Sequence, residues 1–391
     1  KIHMSKNYYS LGLMSGTSMD GIDASIVQSD GKSKYKAILD RYFEYPKDIH
    51  HNLTTLREKI KSSKDLKKHQ KQIKFLEKEI TIFHAESVNK ILKKTKVNID
   101  FIGFHGQTIF HNAKEKISKQ LGDGNLLSKL TKKTVVYDFR QNDLRKGGHG
   151  APLTPIFHKV LAQKFKITYS YFLNIGGITN YTLIDDGSEG NEKFKQRKDL
   201  YISANDIGPG MCLVDHWVRT NSKKKYDKGG KLAKLGKVHI NLVEEACEDQ
   251  EKIKKNKTNV IKKNIKAYKQ SYDVKDFDGS FVKGLSLNDG VATLIEFTVR
   301  DLMPSLQFVE GNRLKLVLCG GGRKNKTLVK KLKKFSTRIK LIDDYGIDGD
   351  FVESQAFAYL AIRSYFKLPI SFPKTTGCKK PCTGGKIVKN Y

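Results

Sequence analysis

Seven stretches of this chain gather glycine, hydroxyl and charged residues at spacings that could do chemistry. The first is SGTSMDGID, Ser15 to Asp23. A loop rich in glycine and hydroxyl residues can bring several backbone N–H groups close to a phosphate, because no side chain blocks the approach. The Gly-Lys-Ser/Thr ending of a Walker loop is missing, and an ordinary tight turn is the competing reading. Asp20 and Asp23 shift the balance, since carboxylates beside a phosphate cradle are where magnesium is held. HGQT, His105 to Thr108, follows a strand, and a histidine there is either a satisfied structural residue or an acid, base or ligand. Asp138 to Pro155 packs Asp138, Arg140, Asp143 and Arg145 ahead of a Gly-Gly-His-Gly loop, so Arg140 or Arg145 could hold an anion bidentately; a plain surface loop is the alternative.

The remaining four lie further along. In NIGGITN, Asn174 to Asn180, Gly176 and Gly177 read as a hairpin turn unless nucleotide is near. Asn205 to Trp217 holds Asp206 just ahead of a Gly-Pro-Gly turn, and a rigidly held carboxylate is the type of group that serves as general base. Its rival role is a carboxylate balancing the dipole of the helix that follows. Gly320, Gly321 and Gly322 come after a buried strand, where a planar base could lie on exposed backbone, although dinucleotide glycine spacing is absent. Glu353 is a charged residue at the start of an otherwise apolar helix, and helix capping rivals a catalytic role there.

These groups need elements to position them. Tyr9 to Met14 and Ile22 to Val27 read as two strands around the first loop, a hairpin, and Ser170 to Ile175 with Thr179 to Ile184 repeat the device. From Pro46 to Lys94 apolar residues such as Ile73, Leu76, Ile80 and Phe83 recur at helical spacing. Short strands are expected at Phe101 to Phe104, Thr134 to Tyr137 and Leu314 to Cys319, and a helix over Phe351 to Ser364. Strands alternating with helices predict an α/β architecture with sites at strand ends. The second hairpin puts a domain boundary near residue 168, giving domains 1–168 and 169–391, with the C-terminal helix crossing back as an option. Residues 187 to 200 read as an exposed hairpin tip, and 248 to 270 as a Lys/Asn-rich helix or loop without chemistry.

Composition narrows the class. A chain of 391 residues exceeds what one core usually supports, so two domains are expected. The formal charge is +32, yet lysine far outnumbers arginine and is spread along the whole length, which reads as a solvated surface and not as a specific nucleic-acid site. Five cysteines, an odd number, fit reduced thiols in a cytoplasm. Cys378 and Cys382 alone make a weak metal site and are read as ordinary thiols. No apolar run reaches the ~18 residues of a membrane span and no charged-then-apolar leader precedes the first strand, so a soluble, unsecreted protein is expected.

Taken together, in this order and over nearly the whole chain, the seven motifs resemble the anhydro-N-acetylmuramic acid kinase family. The resemblance implies the fold of acetate and sugar kinases, actin and heat-shock chaperones: α/β, two related actin-like ATPase domains with a cleft between them that closes on ATP. It implies ATP and Mg2+ as cofactors, and a reaction that opens an anhydro bridge with water and phosphorylates the oxygen released, yielding N-acetylmuramate 6-phosphate and ADP. Matched residue by residue, Gly16, Thr17, Ser18, Met19, Asp20, Gly21, Ile22 and Asp23 form the phosphate loop, with Asp20 and Asp23 toward magnesium and Ser15 toward the substrate. Asp206 matches the carboxylate that activates water, and Arg140 and Glu353 match positions at the sugar. Gly176 and Gly177, with Gly320, Gly321 and Gly322, fall on the nucleotide side, and His105 and Gln107 on the sugar side. The partners implied are an amino sugar and ATP, with no specific nucleic acid and no membrane; a homodimer is left open. Two departures stand out: Ser271 to Lys275 replaces a Ser-Thr-Gly-Arg segment, and Met211 replaces an Asn after Gly-Pro-Gly. A same-fold kinase for another sugar or acid, and a slow ATPase scaffold, are the rivals.

Overall fold

The computed structural model describes residues 6–187, 199–263, 272, 274–306, 314–336 and 338–391. The hairpin tip expected at 187–200 and the end of the Lys/Asn-rich segment, 264–270, therefore fall almost wholly outside the described residues. The chain divides into two compact units, Lys1–Phe165 with Asp350–Tyr391, and Lys166–Gly349. Each has a hydrophobic core of its own, one around Leu11, Ile26, Leu76 and Ile102, the other around Leu173, Val214, Ile295 and Leu316.

The first unit opens with strands β1 (Tyr8–Ser15), β2 (Gly21–Ser29) and β3 (Tyr35–Glu44). Helices α1 (Lys47–Lys59), α2 (Ser63–Lys68) and α3 (Gln70–Leu92) follow. Next come β4 (Phe101–Asn112), β5 (Ile117–Leu121), α4 (Gly124–Thr131), β6 (Thr134–Tyr137), α5 (Gln141–Arg145) and α6 (Pro155–Lys164). The helical spacing read in 46–94 is realised in α3, which buries Ile73, Leu76 and Ile80 along one stripe and packs Phe83 at its margin. β1 is buried along most of its length, as a central strand requires, while β3 at the edge is mostly half-buried or exposed.

The second unit contains β7 (Ser170–Ile175), β8 (Ile178–Asp185), β9 (Tyr201–Pro209), α7 (Cys212–Asn221), α8 (Lys231–Leu235) and α9 (Ile240–Lys263). It continues through α10 (Leu287–Leu302), β10 (Lys315–Cys319), α11 (Lys326–Leu332) and β11 (Ile339–Leu341). The chain then adds α12 (Val352–Tyr365), α13 (Pro373–Thr376) and β12 (Lys386–Val388).

The sheets repeat one design. The first runs β3-β2-β1-β4-β6 and the second β9-β8-β7-β10-β11. In each, three strands meander antiparallel and the first of them then pairs parallel with a chain of two more. The protein is thus α/β, as expected, with two units whose sheets share one strand order. The first sheet gains β12 beside β6 and β5 on β4.

One expectation is corrected. The second hairpin places 169–391 in the second half, with only the C-terminal helix crossing back as an option; instead the whole stretch Asp350–Tyr391 packs with the first unit. Gly12 and Gly103 explain it, since a Cβ on either would lie 1.9 Å from the Ser354 carbonyl oxygen or 2.2 Å from that of Phe357. Only glycine lets α12 approach the sheet so closely. Side chains then stitch the helix down: Ser354 pairs with Ser25 at 2.6 Å, Gln355 donates to both Asp40 oxygens at 3.1 Å, and Arg363 donates to the Gly31 carbonyl at 2.8 Å.

Candidate active site

In the first unit the candidates gather where β1, β4 and β6 end their parallel pairing, the usual place for ligands in such sheets. The turn after β1 is held from behind. Gln107 Nε2 donates to the Gly16 carbonyl at 3.0 Å, Arg57 Nη1 to that of Thr17 at 2.8 Å and His50 Nδ1 to that of Met19 at 2.8 Å. The Gly16, Thr17 and Met19 carbonyls are therefore taken by protein donors, an arrangement compatible with an anion in front of the turn, because an outward carbonyl would repel it. Met19 takes a left-handed φ of 58° with its side chain buried, pinning the turn. Ser15 Oγ donates to the Gly21 carbonyl and accepts from the Tyr45 hydroxyl, both at 2.8 Å, closing the hairpin at its base.

Asp20 is exposed and accepts from Ser18 Oγ at 2.6 Å; Asp23 is half-buried on β2. The Tyr42 hydroxyl reports their field: partial burial and then Asp20, Glu44 and Asp23 push its pKa up to about 12. Asp20 and Asp23 thus bring carboxylate oxygens to this turn, and one or two carboxylates with water and phosphate completing the shell are the hard donor set that Mg2+ takes.

Two residues of β4, His105 and Gly106, face the single Met14 of β1, since Leu13 pairs with Phe104 and Ser15 with Gln107. This bulge, with Gly106 at φ +74°, re-aims His105. The imidazole is buried; its Nδ1–H donates to the Gly106 carbonyl at 2.7 Å, leaving Nε2 to accept from Arg140 Nε at 3.1 Å and Nη2 at 3.0 Å. Burial first, and then the Arg140 charge, hold His105 neutral, well below its usual pKa. Arg140 also donates to the Gly150 carbonyl at 2.8 Å. Glu353, in the first turn of α12, keeps an accessible carboxylate, yet the protein packed around it raises its pKa while Arg140 opposes the rise. His105, Arg140 and Glu353 thus form one electrostatic group. Asp143 is structural: buried, it accepts from Ser371 and Thr376 at 2.6 Å and from the Gly150 amide at 2.7 Å.

In the second unit three glycine-rich stretches meet at the ends of β7, β9 and β10. The Gly210 and Cys212 amides donate to the Gly177 carbonyl at 2.9 and 3.2 Å, and the Met211 amide to that of Gly176 at 2.7 Å. A Cβ on Gly210 would lie 2.1 Å from the Gly176 oxygen, so the Gly-Pro-Gly turn and the β7–β8 hairpin lock only without side chains. Asp206 stands just before, beside a bulge: Asn180 pairs with Asp206 and Thr179 with Gly208, leaving Ile207 as the extra residue. The Tyr272 amide donates to Asp206 Oδ2 at 3.0 Å and fixes the carboxylate. Gly320 (φ +76°) and Gly322 abut Asn174 and Ile175, while Gly321 faces open space. The loop is braced by Arg323, which donates to the Gly320 carbonyl at 3.0 Å and bidentately to Asp343 at 2.7 and 3.2 Å.

Over residues 8–390 the chain matches the model of the family described as anhydro-N-acetylmuramic acid kinase. The chain belongs to that family. It is similar to the anhydro-N-acetylmuramic acid kinase of Pelagibacter ubique, 51% identical with 99% of this chain and 100% of that protein covered. The protein of the same name from Agrobacterium fabrum is 35% identical, covering 97% and 98%. Among solved structures, the ethanolamine utilization protein EutJ from Carboxydothermus hydrogenoformans aligns at a TM-score of 0.40 and 9% identity, over 91% of this chain and 90% of that one.

The two departures from the pattern of the anhydro-N-acetylmuramic acid kinases have different standing. Met211 is buried in the second unit's core, so packing replaces the polar side chain, while its amide still makes the bond to Gly176. Of the 271–275 departure, Ser271 and Asp273 lie outside the described residues; Tyr272 reaches Asp206 through its backbone. Asp206 lies within β9, and the carboxylate in the first turn of α7 is Asp215, so the dipole-balancing role weighed for Asp206 falls to Asp215. Sequence reading missed Tyr45, His50, Arg57 and the Arg323–Asp343 brace, all of which act through distant contacts that leave no local spacing signal.

Proposed function

We propose that this ATP-dependent sugar kinase opens the 1,6-anhydro bridge of anhydro-N-acetylmuramic acid with water and phosphorylates the 6-oxygen released, giving N-acetylmuramate 6-phosphate and ADP in cell-wall recycling. The observation that carries the reading is Asp206, fixed by the Tyr272 amide at a strand bulge and set beside the glycine lock of 176–177 and 208–210.

In this account Asp206 takes a proton from water as the water's oxygen bonds to the anomeric carbon. The bond from that carbon to the bridge oxygen breaks, and this oxygen attacks the γ-phosphorus, releasing ADP. Arg140, oriented by His105 and Gly150, steadies negative charge on the sugar side, and Glu353 is the second carboxylate there. Gly16 to Asp23, with Gly176 and Gly177, hold phosphates, and Gly320 to Gly322 receive the base. Asp20 and Asp23 would hold magnesium, which when bound offsets phosphate charge. The setting is cytoplasmic, with amino sugar and ATP as partners, no specific nucleic acid and no membrane; a homodimer is the assembly to test by light scattering.

Mass spectrometry of products formed from ATP, Mg2+ and the anhydro sugar tests the reading. The expected product carries both a phosphoryl group and one added water. ATP consumed without a phosphorylated sugar would leave a slow ATPase instead.

A further inference from the structure

Apart from the residues assigned to nucleotide and sugar, the first unit has a cavity of about 700 Å3 with a different character. Its walls come from the turn between β4 and β5 at Lys116, from Asn142 and Arg145 of α5, from the Lys146–Gly147 bend, and from residues 379–383. Lys116, Arg145, Lys146, Lys379 and Lys380 supply five cations, and among the described residues no carboxylate lines the space. None of the five is ion-paired among the described residues, whereas other lysines of this unit are: Lys119 with Glu77 at 2.7 Å and Lys386 with Asp138 at 2.9 Å.

The convergence is built and not a by-product of a basic surface. Asn142 Nδ2 donates to the Thr383 carbonyl at 2.6 Å and the Lys379 amide to that of Lys146 at 3.5 Å, joining the two longest walls. The Cys378 and Cys382 thiols are buried, and both donate to the Lys380 carbonyl, at 3.1 and 3.0 Å. That shared acceptor curls 378–382 into a tight loop and leaves the Lys379 and Lys380 side chains exposed at the rim. Gln141 Nε2 ties the Lys116 carbonyl to α5 at 2.8 Å. Like charges held around one concavity repel one another, and a bound anion relieves them all at once. A volume of this size suits a small ligand, while an extended nucleic acid would want a stripe of charge.

We propose that this cavity is a binding site for a small, multiply charged anion of the phosphate class. The test is calorimetric titration of the full chain with inorganic tripolyphosphate. Wild type should show a binding component that Lys379→Glu/Lys380→Glu weakens at least tenfold, and Lys116→Glu, on the opposite wall, should weaken the same component. Lys93→Glu/Lys94→Glu, an equal charge change at the exposed end of α3, should leave it intact. Identical isotherms for wild type and the cavity variants, or an equal loss in Lys93→Glu/Lys94→Glu, would overturn the assignment in favour of diffuse attraction to a basic surface.

Discussion

Asp206 and Asp215 divide two jobs that a carboxylate in this stretch could do. Burial raises the Asp215 pKa to about 6, with Arg219 opposing and Asp227 adding to the rise, as it sits in the first turn of α7. Asp206 has instead an amide donor and a bulged backbone to aim it. Asp206→Asn keeps the shape and removes the basic lone pair, so kcat should fall by at least about 10²-fold while ATP still binds. Steady-state kinetics with nucleotide titration checks this, and activity within a few-fold of wild type would make Asp206 structural. The motif glycines and charged residues were legible in the sequence because their types are unusual outside functional loops. The groups that orient them were not: nothing local marks Arg57 as the residue that holds the Thr17 carbonyl, or Asp343 as the partner of Arg323.

Hairpins and helices were legible because strand alternation, helical periodicity and glycine turns are local properties. Which sheet a helix packs on is not local, and α12 shows the consequence: its apolar run fits either unit. Gly12 and Gly103 decide it, by allowing backbone contact that any side chain would block. Gly103→Ala would push a methyl into the Phe357 carbonyl, and rigid backbone on both sides cannot yield cheaply. The expected cost is about 3 kcal/mol, lowering the melting temperature by roughly 10 °C. Thermal melting followed by circular dichroism measures it, and an unchanged midpoint would mean that α12 is free to shift on the sheet.

Across the whole molecule, stability should depend on pH through histidines held neutral in the first unit. Burial lowers His84 to about 4, against a partial rise from its bond to the Ile80 carbonyl, and lowers His158 to about 3. The unfolded chain protonates both near 6.5, so below that pH it binds more protons than the folded one, and stability falls as pH drops from about 6.5 toward 4. Each histidine contributes up to about 1.4 kcal/mol per pH unit across that window. Melting midpoints should drop between pH 7 and pH 5, and His84→Phe should reduce the drop; an equal drop in the variant would assign the acid sensitivity elsewhere.

The central claim, that water opens the bridge and the freed oxygen takes the phosphate, is tested most directly by running the reaction in heavy-oxygen water and locating the label by mass spectrometry. The account predicts one heavy oxygen on the anomeric carbon and none in the phosphoryl group of the product, because the oxygen that accepts phosphate comes from the bridge. Heavy oxygen in the phosphoryl group or its ester oxygen, or a phosphorylated sugar with no label at the anomeric carbon, would contradict it.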